Sequence, residues 1–487
     1  MLNFRIIIQV FGVLLLILGG FMLIPAFCSL LYGTTDLRGF LYSIVICAFT
    51  GLALSKIKPK SSTIGKREGY LVVTLGWIVL CIFSALPYLL SRELTEFSKA
   101  LFESTSGLTT TGASVFTDIE ALPQGILLWR SLTQWIGGMG IIVLTVAIFP
   151  LLGIGGVELF IAEAPGPTSD KIHPRIKETA KRLWLIYVAL TGILGIVLIV
   201  VGGLQPFDAI NHALTTMSTG GFSTKNDSLA HFGPIVHYIV MIFMFIGGMN
   251  YALIYLSLNG KFKRVWSSDE LKTYVIGFIS LSLIVTIAIH IETDIPFEQS
   301  FRDGTFQILS IITTTGFVTA DYTAWSPFLT MMFFFLLFTG ACAGSTSGGI
   351  KVIRHLVFYK NAFLEFKRML HPKALIRLKI DKNLVAPKIV THILVFFMLY
   401  LLIFGVSSLL MSMIFEHTME DPLLTALGAV ATCLGNVGPA IGSVGPVDNF
   451  AEVPAIAKVY LSGLMIVGRL ELFTVLVILS PYFWKAN

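Results

Sequence analysis

Four short segments of this chain share one unusual composition. Thr109–Ser114 reads TTTGAS, Ser218–Ser223 reads STGGFS, Thr313–Val318 reads TTTGFV and Leu434–Pro439 reads LGNVGP. Aligned on Gly112, Gly221, Gly316 and Gly438, they stand 109, 95 and 122 residues apart, so the repeating unit is about 100 residues. None carries a charge. What they offer is backbone carbonyls, with hydroxyls beside them. Glycine admits positive φ, which lets successive carbonyls turn toward a common axis. Four such turns would form rings of oxygen able to replace the hydration shell of K⁺. The candidate ion-coordinating residues are Thr110, Thr111 and Gly112; Thr219, Gly220 and Gly221; Thr314, Thr315 and Gly316; Asn436, Val437 and Gly438. A single TTTG would read as a helix end or a tight turn; four in register do not. The fourth copy departs most, with Asn436-Val437 in place of small hydroxyl or glycine residues, and its register can also be set on Gly435.

Irregular backbone of this kind is tolerated at membrane depth only where protein buries it or it lines water. The surrounding sequence supplies the membrane. The chain has 487 residues, 55% hydrophobic and 13% charged, with mean hydropathy +0.83; soluble domains carry about a quarter charged residues. Uncharged runs cover 7–32, 183–207, 273–289, 327–350, 391–415 and 472–484, near or above the ~18 residues that span hydrocarbon. A second apolar run (39–55) follows the first, so the N-terminal run reads as a retained helix, not a signal peptide. Before each glycine segment lie a spanning helix and then a semi-polar stretch too short to cross, at 97–110, 206–219, 299–314 and 421–435. After it comes another long helix, at about 123–153, 232–258, 327–366 and 454–482. The expected fold is therefore all-α and integral to the membrane. Four parallel-repeated helix–pore loop–helix units surround one pore, with an N-terminal two-helix hairpin outside the repeat. The expected boundaries are 1–60 for the hairpin and 68–160, 175–260, 270–380 and 385–487 for the units.

The net charge of +6 does not point to nucleic acid, because the basic residues cluster in a few short loops. Lys56–Arg67, Lys171–Arg182, Lys261–Lys272 and Lys351–Lys382 alternate with acidic or mixed segments such as Asp118–Glu120 and Glu416–Asp421. Basic loops stay cytoplasmic, which puts both termini in the cytoplasm. Cys28, Cys47, Cys81, Cys342 and Cys433 are scattered in or beside apolar segments. They form no metal or redox motif, and no glycine-rich nucleotide fingerprint is present. A membrane enzyme would need a nucleophile or metal cluster. A solute symporter predicts two inverted repeats. Neither pattern occurs.

Two features lie one helix beyond the glycine segments. Phe338–Ile350 reads FTGACAGSTSGGI, and its glycines interrupt a helix at about 1 kcal/mol each relative to alanine. Gly137-Gly138, Gly247-Gly248 and Gly468 occupy the same depth in the other units, where close helix packing is the plain reading. Arg469 sits in an otherwise apolar helix, where a charge costs about 2.5–3.5 kcal/mol or more. Glu471 is two residues on, off the same helix face, so Arg469 is expected to project toward the pore. Glu103, Asp208 and Asp303 in the short helices read as bracing groups or as cation attractors. His212 and His355 show no surrounding proton relay.

These motifs together resemble the Trk/Ktr/HKT superfamily of K⁺ transporters across essentially the whole chain. GGMGIIVL (137–144), GSTSGGIKVIR (344–354), the broken third unit and the late arginine carry the resemblance. The extra N-terminal pair makes the chain most similar to the membrane subunits of bacterial Trk systems. The resemblance implies K⁺ as the transported ion with no organic cofactor, and Gly112 favours K⁺ over Na⁺. It implies a homodimer in the bacterial inner membrane, each protomer with its own pore. It also implies a cytosolic tetramer of TrkA-like subunits whose nucleotide-binding RCK domains control opening. It makes Gly344, Ser345, Thr346, Ser347, Gly348 and Gly349, with Arg469, the gate. The loops 171–182, 261–272 and 354–382 are the expected docking surface. Channel and H⁺-coupled mechanisms both remain open at this point.

Overall fold

The computed structural model describes residues 2–58, 65–148 and 176–485. The distal end of the first unit and residues 171–175 of the basic stretch expected at 171–182 lie outside these residues. The N-terminal hairpin pairs α1 (Phe4–Tyr32) with α2 (Leu37–Ser55). The two helices meet backbone to backbone: a Cβ on Gly12 would lie 2.7 Å from the Gly51 carbonyl oxygen. Small residues permit this approach.

Each unit then repeats one plan. The first has α3 (Lys66–Ser84) and α4 (Leu86–Leu90), the short α5 (Phe97–Leu108), and α6 (Gln124–Ile148). The second has α7 (Ile176–Val200), the short α8 (Pro206–Met217), α9 (Pro234–Gly247) and α10 (Tyr251–Leu258). Past the small α11 (Phe262–Val265), the third has α12 (Asp269–Glu292), the short α13 (Phe297–Ile312), α14 (Pro327–Leu336) and α15 (Val352–Leu370). A two-stranded hairpin, Lys379–Ile380 against Asn383–Leu384, links to the fourth. That unit has α16 (Pro387–Phe415), the short α17 (Pro422–Gly435), α18 (Ala455–Arg469) and α19 (Phe473–Leu479). The final turn, α20, is Pro481–Trp484. The short helices fall where the semi-polar stretches placed them.

One expectation is corrected. The long helix after the glycine segment was expected to run unbroken in units one, two and four. It is interrupted in every unit at one depth. Gly140 is non-helical inside α6 (φ 51°, ψ −164°). α9 and α10 bend by 101°, and α18 and α19 by 114°. In unit four the break sits at Glu471 and Leu472, both at positive φ (55° and 57°). In unit three the break widens to the whole segment 337–351. The glycines at this depth also pack closely, since a Cβ would meet Leu108 O at 1.8 Å from Gly137 and Leu434 O at 2.1 Å from Gly468.

Two large apolar clusters divide the bundle. One joins the N-terminal hairpin to units one and four, the other joins units two and three. Outside them lie apolar side chains that water would not favour, such as Ile291 at 76% and Leu409 at 73% exposed. A lipid-facing surface accounts for them.

Candidate ion pathway

The glycine segments begin where the short helices end, and all four end alike. Thr110, Thr219, Thr314 and Asn436 adopt left-handed backbone, with φ of 55°, 52°, 54° and 54°. The following N–H then reaches back five residues. Thr111 donates to Ser106 O (2.9 Å), Gly220 to Thr215 O (2.9 Å), Thr315 to Ser310 O (2.8 Å) and Val437 to Thr432 O (3.1 Å). This is the Schellman closure of a helix C-terminus, normally made with glycine or asparagine in the left-handed position. Asn436 fits it; a threonine there pays about 1–2 kcal/mol. Gly112, Gly221, Gly316 and Gly438 take positive φ again, at 83°, 79°, 81° and 108°. The shared alternation sets the fourth register on Gly438, not Gly435.

The four segments close a ring around one axis. A Cβ on Gly112 would lie 2.3 Å from Gly220 O; on Gly221, 2.0 Å from Thr315 O; on Gly316, 2.2 Å from Val437 O; on Gly438, 2.7 Å from Thr111 O. Each glycine thus abuts the carbonyl before the next unit's glycine, and the fourth returns to the first. At their glycine ends the segments open on a basin of about 200 Å³. Their threonine ends meet the broken segment of unit three.

Behind the ring, polar side chains stand beside the segments of the first three units. Nine residues before the glycines stand Glu103, His212, Gln307 and Ala429. Glu103 accepts from Ser114 Oγ (3.1 Å) and from Val115 N (2.9 Å), and pairs with Arg130 Nε at 2.8 Å, both side chains being buried. Arg130 also donates to Ser223 O of the second unit (3.2 Å) and covers the Phe222 ring at 4.2 Å. His212 Nδ1 lies 2.8 Å from Asp208 O and so carries the proton, leaving Nε2 to accept from Ser223 Oγ (2.9 Å). Gln307 donates to Thr319 Oγ1 (3.4 Å). Asp208 accepts from Thr224 (2.6 Å), while Asp303 lies beside Arg302 instead. The acids of the first two units therefore brace the ring.

Sequence reasoning missed Arg130 and Gln134. Gln134 fills the space of the side chain Gly220 lacks, since a Cβ there would sit 2.4 Å from its Cδ. It donates to Gly220 O (2.6 Å) and accepts from Phe222 N (3.0 Å). The available signal was two polar residues spaced i, i+4 on one face of an apolar helix.

Segment 337–351 folds against the threonine end of the ring. Its base is a parallel bridge, with Gly340 N donating to Ile350 O (2.8 Å), and Gly344 and Gly349 take positive φ. Ala343 N donates to Glu270 (2.6 Å) and Tyr251 N to Gly344 O (3.1 Å). At the tip, Gly348 N donates to Thr314 Oγ1 (2.6 Å), and Thr346 Oγ1 donates to Met217 O (3.1 Å) and lies 3.2 Å from Thr219 Oγ1. Ser345 and Ser347 share a hydrogen bond (2.8 Å), and Lys351 Nζ donates to Ser347 Oγ (3.1 Å). Arg469 joins three units here: it donates to Thr346 O (2.9 Å), Gly137 O (2.5 Å) and Gly138 O (3.1 Å). Glu471 pairs with Arg354, whose guanidinium stacks on Phe396 at 4.0 Å.

An uncharged ring of carbonyls and hydroxyls offers oxygen ligands to a small cation, and segment 337–351 with Arg469 packs against its threonine end. A model of the TrkH family, described as a cation transport protein, matches residues 37–485. The chain belongs to the TrkH family. It is 39% identical over 494 residues to the Trk system potassium uptake protein TrkH of Salmonella typhimurium, covering 99% of this chain and all of that one. The TrkH of Escherichia coli strain K12 is 39% identical over 498 residues, and TrkG of the same strain 34% identical over 488. The crystal structure of the potassium transporter TrkH from Vibrio parahaemolyticus superimposes with a TM-score of 0.88 at 35% identity, covering 99% of this chain and all of that one. These TrkH-family relatives are named as transport proteins, not enzymes.

Proposed function

We propose that this chain takes up potassium through one gated pore, with the four glycine-centred segments as its selectivity filter. The observation that carries the reading is the closed ring. Four main-chain turns, alternating positive and negative φ, abut one another in order around one axis. Carbonyl oxygens so arranged replace the water around K⁺. The four short helices end at the ring, and each adds a partial negative charge of about −0.5 at its C-terminus. Gly344–Gly349 and Arg469 form the gate: the segment packs on the ring's threonine end, and a guanidinium in that position opposes a cation. The relatives' potassium uptake supports K⁺ as the cargo. Unequal residues at the second ring position (Thr111, Gly220, Thr315, Val437) favour looser discrimination among alkali cations than a fourfold-symmetric filter gives.

The wider reading places the chain in the bacterial inner membrane, as a homodimer with cytoplasmic termini, controlled by a TrkA-like nucleotide-binding tetramer. The basic loops 261–272 and 354–382 support that orientation and offer the docking face. Planar-bilayer recording with the regulatory subunit present tests the core claim. Discrete currents reversing near the K⁺ equilibrium potential are expected. Absence of K⁺ current, or obligatory cotransport of an organic solute, would overturn it.

A further inference from the structure

The closed gate segment and a permeant ion draw on the same oxygen. The ring's gate-facing residues are Thr110, Thr219, Thr314 and Asn436, and all four are buried. Thr314 Oγ1 accepts the Gly348 N–H at 2.6 Å. An N–H points its positive end at the lone pair, as a bound cation would. Thr219 Oγ1 is 3.2 Å from Thr346 Oγ1 of the same segment. Thr110 Oγ1, in the unit the segment does not reach, has no hydrogen-bond partner among the described residues. A buried hydroxyl without a partner costs about 1–3 kcal/mol, and a cation ligand is a group that carries that cost between ions.

We propose that these hydroxyls form the innermost K⁺ site, and that occupancy of this site and closure of the gate segment exclude each other, so that K⁺ itself favours opening. The proposal rests on the filter reading. Two effects act in the same direction. Closure covers the Thr314 oxygen with an N–H. It also seats the Arg469 guanidinium on Thr346 O, two residues from Gly348, where like charge repels an ion at the ring. A ligand that binds only the open state raises the open-to-closed ratio by the factor 1 + [K⁺]/Kd. Well above Kd, a ~tenfold rise in K⁺ should therefore raise that ratio by up to ~tenfold.

Single-channel recording of the full chain with its regulatory subunit tests this, with K⁺ varied on the gate side and N-methyl-D-glucamine holding ionic strength. The wild type should open more often as K⁺ rises. Thr314→Val should open more at low K⁺ and lose the dependence, and Thr314→Ser should restore it. Thr110→Val should lower conductance and shift the dependence to higher K⁺ without abolishing it. A K⁺-independent open probability in the wild type, or full K⁺ dependence in Thr314→Val, would overturn the competition while leaving the filter in place. If neither valine variant alters conductance or reversal potential, the filter reading itself fails.

Discussion

Arg130 and Arg469 are both guanidiniums inside an apolar bundle, one behind the ring and one beneath it, and their partners differ. Arg130 meets a carboxylate: Glu103 lies at 2.8 Å, and the two side chains are 1% and 0% exposed. Each charge needs the other, because a lone ion there has no water to turn to. Arg469 meets main-chain carbonyls on two other units. Those carbonyls are neutral, unlike the carboxylate that Arg130 meets. Glu471, the nearest acid in sequence, is occupied by Arg354. On the gate reading proposed above, the first arrangement fixes geometry and the second permits motion. The same division runs through the glycines. Gly112 and its equivalents are locked by the neighbouring carbonyl, whereas Gly344 and Gly349 sit at positive-φ turns of the segment proposed as the gate.

The contrast is tested most severely at Arg130. Arg130→Met leaves Glu103 buried without its counter-ion, which costs about 3–5 kcal/mol. Thermal unfolding in detergent should show a large drop in melting temperature. Adding Glu103→Leu should recover much of it, because the two positions are coupled. A single variant as stable as wild type would erase the distinction between the two arginines.

Arg469→Ala should act on the gate and leave the fold. Hydrogen bonds from a charged donor are worth about 1.5–3 kcal/mol net each. Loss of even one that exists only in the closed state shifts the open-to-closed ratio about tenfold or more. Open probability should rise while the melting temperature stays close to wild type. A large loss of stability with unchanged gating would make Arg469 a second Arg130.

How much of this was legible in the sequence follows from where each constraint acts. The ring was legible because its demand is local. A left-handed residue followed two positions later by a second positive φ leaves a glycine mark, and four repeats of the mark remove chance. The fourth register was not legible, since Gly435 and Gly438 flank Asn436-Val437 and either could carry the turn. The Val437 N–H to Thr432 O bond decides it, and asparagine proves the easier left-handed residue rather than a defect. The interruptions in units one, two and four were missed. Asn250 caps α10 by accepting from Ala252 N at 2.8 Å, which is a readable helix start. Leu472 at φ 57° carries no sequence mark, since leucine is not a residue that favours positive φ. Glu103 and Arg130 are 27 residues apart, and only the packed bundle makes them a pair.

A weaker version of the Arg130 contact spans the same two units at the surface, and it should show the smallest effect. Asp118 Oδ1 accepts from Asn226 Nδ2 (3.1 Å), Glu120 N (3.1 Å) and Ala121 N (3.3 Å), while Asn226 Oδ1 accepts from Ile119 N (2.7 Å). The Asn226 amide, followed by the Ala121 N–H, holds the Asp118 carboxyl below its ordinary value of 3.8. A carboxyl whose folded-state pKa is depressed stabilises the fold above its unfolded pKa, and that contribution disappears as pH falls through the folded value. Asn226→Ala should therefore melt slightly below wild type at neutral pH, and the gap should close as pH drops below about 4. Water already surrounds this staple, so its loss should leave conduction and gating unchanged. A gap that persists at low pH would mean that Asn226 acts through its bond to Ile119 and not through the Asp118 charge. A gap as large as that of Arg130→Met would show that burial is not what separates the strong contact from the weak one.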